Sequence, residues 1–211
     1  MGNREDLLAG ARHCLYEKGY ARTTARDIAA ASGVSLAAIG YHFGSKEALL
    51  NAALMEAIEE WGDELERALA AADPAAEPLE RFEATWTRVI ESFATHRPLW
   101  MATFEVFAQI ERVPQVREQL AAAMQEARRD LATLFQAIGP TVDERRVLAV
   151  GSLYHALLSG VLVQWLIDPE HAPSGRDLAD ALRAIVADIE PIDEHHAVGP
   201  YDSDSSAKRQ E

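Results

Sequence analysis

Apolar side chains recur at three- and four-residue intervals through nearly the whole chain, and no run of four or more residues alternates apolar with polar as a strand would. The pattern predicts an all-α protein. A first helix spans about Arg4 to Lys18, with Leu7, Leu8, Ala11, Cys14 and Leu15 on one face, and stops at Gly19 as a left-handed cap. A second starts at Thr24, where Thr-Ala-Arg-Asp sets a carboxylate three residues beyond a hydroxyl cap, and ends near Ser32 before Gly33. The third occupies Leu36 to Phe43, capped by Ser35, with Val34 and Ile39 spaced as a hydrophobic staple. Ser45 then caps a longer helix that turns Leu49, Leu50, Ala53, Leu54, Ile58, Trp61 and Leu65 toward a core.

Residues 70–78, AAADPAAEP, form a link. Leu79, Phe82, Trp86, Val89, Ile90 and Phe93 make one face of the next helix, which must stop before Pro98, a residue suited to opening another helix over 98–110. After Pro114 a long amphipathic helix carries Val116, Leu120, Met124, Ala127, Leu131, Leu134 and Ile138, closed by Gly139 and Pro140. Two last helices cover about Asp143 to Ile167 and Ser174 to Ile189. Residues 191–211, rich in Asp, Ser and His and poor in large apolar side chains, are expected to be a disordered tail. The organisation expected is a small head over 1–46, a larger helical domain over 47–190, and the tail.

Charge changes this picture. The chain carries a formal net charge of -14, yet residues 1–50 hold six Lys and Arg against five Asp and Glu, so the acidic excess lies entirely beyond the head. A near-neutral head with clustered cations can approach phosphates while an acidic body limits sequence-independent attachment. The single cysteine, Cys14, excludes an intrachain disulfide and agrees with a reducing compartment; at helical spacing with leucines it reads as core packing. The start of the chain is charged and amphipathic and does not read as a secretory leader, so the cytoplasm is the expected location. No Gly-x-Ser-x-Gly, His-Glu-x-x-His, phosphate loop or Gly-x-Gly-x-x-Gly occurs, which argues against an enzyme. Asp193-Glu194-His195-His196 has metal-ligand chemistry but lies in the expected tail without rigid support, and neither a metal nor a cofactor is expected.

Two short helices joined at Gly33 and packed through Ile28, Ala29, Val34, Ile39 and Phe43 have the plan of a helix-turn-helix, whose second helix enters the DNA major groove. Arg22, Thr23, Thr24, Arg26 and Lys46 surround it with cations and hydroxyls, the groups that bind phosphate oxygens. Residues 21–50, ARTTARDIAAASGVSLAAIGYHFGSKEALL, resemble the amino-terminal signature of the tetracycline-repressor (TetR) family: Thr-x-x-x-Ile-Ala, Gly-Val-Ser, an aromatic-rich recognition helix, then Phe-x-Ser-Lys-Glu-x-Leu. The resemblance implies a homodimeric, all-helical, ligand-responsive transcription factor, usually a repressor. It places Ser35, Leu36, Ala37 and Ala38 at base edges, Tyr41 and His42 at bases or backbone, Lys46 on a phosphate and Thr24 as the cap of the second helix. Two positions depart from the family pattern, Gly40 where many members have tyrosine and Leu36 where a polar residue is common. Readout is therefore expected to lean on thymine methyl groups, His42 and DNA shape.

Residues 147–167 contain no Asp, Glu, Lys or Arg, which raises a membrane span. Ser152, Ala156, Ser159 and Gly160 make a stripe of small residues, and Tyr154, His155 and Gln164 would be costly in lipid, so a buried helix and no membrane partner are expected. In the resembled family the last two helices pair with their copies, which implies a dimer interface at Ser152, Ala156, Ser159, Gly160, Val163, Leu182 and Ile185. Trp86, Phe93, Trp100, Phe104 and Phe107 concentrate between residues 86 and 107 and suit either the core or a cavity for an apolar or aromatic effector, with His96, His155 and Gln164 as polar groups toward it. Glu105, on another face of its helix, reads as solvated surface. The competing reading is a helical homodimeric interaction protein without operator-specific DNA binding.

Overall fold

A computed structural model describes residues 2–69, 76–108, 114–135 and 143–188, and among these the chain folds into nine helices with no strand. They are α1 (Asn3–Lys18), α2 (Ala25–Ser32), α3 (Leu36–Phe43), α4 (Lys46–Leu69), α5 (Pro78–Thr95), α6 (Arg97–Phe107), α7 (Pro114–Leu134), α8 (Glu144–Ile167) and α9 (Gly175–Asp188). The sequence-predicted bounds hold to within a residue or two wherever a cap is described, except that α6 ends at Phe107, three residues short of the 110 expected. The rest of the link at 70–75, Gly139, Pro140, Ile189 and the expected tail lie outside the described residues.

Local chemistry accounts for the head. Thr24 caps α2 through a reciprocal box with Asp27, whose N–H donates to the Thr24 hydroxyl at 3.2 Å while the Asp27 carboxylate accepts from the Thr24 N–H at 2.9 Å. Gly33 follows in the left-handed region, φ 69° and ψ 12°, so α3 can leave at a sharp angle that an L-residue would resist. Gly19 has φ 79° but ψ 169°, so the turn after α1 is extended and not the left-handed cap expected. Ser45 caps α4 by accepting from the Ala48 N–H at 3.0 Å. Ser35 stands at the N-cap of α3 but its hydroxyl makes no capping bond; the first turn closes through its carbonyl, which accepts from Ala38 N–H at 3.0 Å.

Leu7, Leu8, Ala11, Cys14 and Leu15 of α1 meet Ile28, Ile39, Leu49, Leu50 and Leu54 in one continuous core that runs along α4 into the body. There Trp61, Leu65, Trp86, Val89, Phe93, Leu99 and Trp100 extend it. His96 ends α5 and begins α6, leaving no connector between them. Close backbone approach fixes the outer pairs: a methyl on Gly151 of α8 would fall on the Arg128 carbonyl of α7, and one on Gly175 would meet Thr87 and the Glu83 carbonyl of α5. Helix α8 departs from expectation, because only Gly151, Val161 and Leu162 are buried within the chain.

Candidate DNA-binding head and effector core

The head presents α3 outward. Leu36 is 49% exposed and Tyr41 85%, far more than large apolar and aromatic side chains ordinarily show, and Ser35 and Ala37 lie beside them on the open side. His42 is half-buried and packs edge-on against Tyr41, ring centroids 4.9 Å apart. Gly40 is exposed, with open space where a side chain would be. Ala38 is half-buried and packs on the core, so it supports the helix more than it offers a contact.

Around α3 the polar groups divide into free and occupied. Arg26 and Arg22 are exposed; Arg22 Nε donates to the Lys18 carbonyl at 2.7 Å, which holds the guanidinium beside the head. Thr23 does not join the phosphate-facing set: it is 1% exposed and its hydroxyl donates to the carbonyls of Gly19 at 2.7 Å and Cys14 at 3.2 Å, closing the end of α1. Its own carbonyl accepts from Lys46 Nζ at 3.0 Å, which orients that ammonium at the start of α4. Asp27 is held well below the usual carboxylate range by Lys18 at 2.6 Å and by the Thr24 hydroxyl and N–H, so the cap stays charged. The sequence reading missed Arg4, whose guanidinium lies 5.3 Å over the ring of Phe43 at the end of α3.

Arg12 of α1 pairs with Glu60 of α4, and two further polar contacts join head to body. Glu105 of α6 is not mere solvated surface: its Oε2 accepts from the Ala21 N–H at 3.0 Å, against the turn between α1 and α2. Deeper in, the Tyr20 hydroxyl donates to Asn51 Oδ1 at 2.9 Å, and Asn51 Nδ2 donates to Gln119 Oε1 of α7 at 3.2 Å. Burial, with Glu47 adding, pushes the Tyr20 hydroxyl up to about 12, so it is a permanent donor. Asn51 was legible as a polar residue among Leu49, Leu50, Ala53 and Leu54, a placement that demands a partner.

The expected aromatic cavity is closed. Trp86, Phe93 and Trp100 are buried in contact with neighbours: Trp100 meets Trp61 at 4.8 Å and Phe93 at 6.0 Å, and Phe93 meets Trp165 at 5.8 Å. Phe104 and Phe107 pair edge-on at 5.8 Å, Phe107 partly exposed. A pocket bounded by Asn51, Leu54, Met55, Val106, Gln119 and Leu120 has room for about one water. His96 bridges elements at the surface, Nδ1 3.1 Å from the Ser92 carbonyl and Nε2 3.2 Å from Glu64. His155 is half-buried, and burial together with the Arg128 charge lowers its pKa. Gln164 faces outward and not into the core, its amide donating to the Gly160 carbonyl at 3.2 Å. It belongs to an exposed stripe of α8 with Leu153, Ala156, Gly160, Val163 and Ile167. Ile185 and Val186 of α9 are also exposed, whereas Ser152, Ser159 and Leu182 are half-buried. Ser152 donates within its own helix to the Leu148 carbonyl at 2.6 Å. Among the described residues no cluster of three metal-ligating side chains occurs.

An outward-facing helix after a tight turn, mounted on a larger helical body, has the plan of a helix-turn-helix regulator. Residues 7–53 match the family model for bacterial regulatory proteins of the tetR family, and residues 77–188 match the tetracyclin repressor-like C-terminal domain. The chain belongs to the tetR family. It is 30% identical over 162 residues to the HTH-type transcriptional regulator BetI of Rhizobium meliloti, covering 76% of each chain. It is 43% identical over 56 residues to the HTH-type transcriptional repressor AcnR of Corynebacterium efficiens, a match that takes in 26% of this chain and only 30% of that repressor's length. In fold it is similar to GusR of Salmonella enterica, TM-score 0.60 at 23% identity, over 88% of this chain and 95% of that one.

Proposed function

We propose that the protein is a homodimeric repressor that occupies a palindromic operator and leaves it when a small molecule enters the helical body. The outward exposure of Leu36 and Tyr41 on α3, set off from the capped α2 by the left-handed turn at Gly33, carries the DNA-reading part of this proposal. Ser35, Leu36, Ala37, Tyr41 and His42 face base edges or sugar-phosphate, Gly40 lets the backbone approach, and Arg22, Thr24, Arg26 and Lys46 surround phosphates. Arg4 adds a cation beside the end of α3. Lys46, already held by the Thr23 carbonyl, needs little ordering to meet an oxygen. The repressor sense draws support from the similarity of the head to that of AcnR, a transcriptional repressor.

The uncovered stripe of α8, with Ile185 and Val186, supports the dimer: helix-long apolar surface of this kind is buried by a partner in soluble proteins. Two recognition helices about 34 Å apart then read successive major grooves on one face of the duplex. Glu105 and the Tyr20–Asn51–Gln119 chain give movements of α6 and α7 a route to the head.

Selection of duplexes from a random pool, followed by salt titration of the winner with wild type and the Tyr41→Ala, His42→Ala double variant, tests the reading. A palindrome bound by wild type, lost in the variant and weakened by salt is expected. A folded dimer that enriches no site would overturn it and favour an interaction protein.

A further inference from the structure

Phe135 lies between two other rings of the effector core. It stacks on Tyr154 of α8, centroids 4.2 Å apart and planes at 12°, and meets Trp86 of α5 at 5.4 Å and 37°. Phe82 completes the group, 6.1 Å from Trp86 and 6.4 Å from Tyr154. Rings from α5 and α8 thus form the walls of a slot, and a planar ring already occupies it.

Two features of this slot coincide. Phe135 follows Leu134, the last residue of α7, and is half-buried, so its ring can leave without unwinding the helix. The indole N–H of Trp86, on the wall it touches, is buried and meets no acceptor among the described residues. Buried donors are almost always paired; Trp100 Nε1 and Arg128 Nε also lack a partner among the described residues, and of the two indoles Trp86 is the one in contact with Phe135. Burial also raises the Tyr154 hydroxyl, so the ring stacked on Phe135 is uncharged near neutral pH.

We infer that this slot is the closed form of the effector site, with Phe135 as its plug, and that its ligand is a neutral, flat aromatic molecule bearing a hydrogen-bond acceptor. The ligand ring takes the place of Phe135 between Trp86 and Tyr154, and its oxygen or ring nitrogen accepts from Trp86 Nε1–H. Parallel stacking on Tyr154 favours a flat ring over a saturated chain. The unpaired N–H favours an acceptor over a cation, which could use the ring faces but would leave that donor without a partner. As an account of regulation this rests on the repressor reading above; as an account of binding it stands alone.

The test titrates the full chain with coumarin, a flat bicycle with a carbonyl acceptor, and with naphthalene, of similar shape and no acceptor, read by calorimetry and tryptophan fluorescence. Phe135→Ala is expected to bind coumarin at least tenfold more tightly than wild type does, and naphthalene at least fivefold more weakly than coumarin. Trp86→Phe in that background should erase the difference between the probes. Phe135→Leu, which partly refills the slot, should fall between wild type and Phe135→Ala and serves as the test where the alanine variant does not fold. No gain on unplugging, or equal affinity for both probes with intact Trp86, overturns the inference. DNA selection on the same preparations separates the two readings: an enriched operator with no probe binding removes the slot and leaves the repressor, whereas probe binding with no operator keeps the slot and removes the repressor.

Discussion

The N–H of Ala21, in the turn between α1 and α2, donates to the carboxylate of Glu105 in α6 at 3.0 Å, 84 residues away in sequence. Gly19 lies against the same carboxylate. The contact binds the DNA-reading head to the helical body at a point outside the shared apolar core. Glu105→Ala is expected to cost about 1 kcal/mol of stability and to speed amide exchange across residues 19–22 while leaving α4 protected. Unchanged exchange there would mean that the core, with the Tyr20–Asn51 bond and the Arg12–Glu60 pair, holds the head without it.

Gly151 and Gly160 sit on one helix in opposite situations. Gly151→Ala drives a methyl into the Arg128 carbonyl and should destabilise the chain by about 1–3 kcal/mol, through separation of α7 and α8. Gly160 faces open space within the chain. If the α8 stripe is the dimer interface proposed above, Gly160→Trp should leave helicity intact and shift sedimentation from dimer to monomer. A Gly160→Trp dimer would move the interface off the α8 stripe.

Acid should act in two separate windows. His155 has a pKa below its ordinary 6.5 in the folded chain, so as pH falls through about 6.5 the unfolded chain takes up the proton first and stability declines. Asp27 is depressed below 3.8, so its contribution is present above that value and lost as pH falls below it. Melting curves between pH 7.5 and 5 should fall for wild type and flatten in His155→Gln; Asp27→Asn should lower Tm at neutral pH and remove the second decline.

Arg4 is exposed and rests on Phe43 beside the end of α3. If it meets phosphate in the complex, Arg4→Ala should lower the slope of log affinity against log salt by about 0.9 per head, or about 1.8 per dimer. Gln at this position should behave as Ala does. An unchanged slope would restrict Arg4 to covering the Phe43 ring.

The sequence made the head legible because its determinants are local. Thr24 and Asp27 are three residues apart, Gly33 sets its own turn, and the Phe43-Gly44-Ser45-Lys46 junction carries both a cap and a cation. The body was harder. Helical spacing showed that α8 has a small-residue stripe, but which face meets α7 is decided by the Gly151 approach to Arg128, so Gln164 was expected inside and lies outside. The same spacing marked Trp86 as apolar-face and could not show that its N–H lacks a partner, because that depends on Phe135 and Tyr154 arriving from beyond the end of α7 and from α8. Glu105 was misread for a related reason: the turn it supports precedes it by most of the head and all of α4 and α5.

The bare face of α8 also bears on abundance. Ile167 is 78% exposed and Leu153 58% in the isolated chain, so if pairing buries them, part of the folding free energy is released only when two chains meet. Melting temperature would then climb with protein concentration. A cell making few copies would hold a larger share as loosened single chains open to proteolysis, and a dose threshold would arise from mass action before any effector is present.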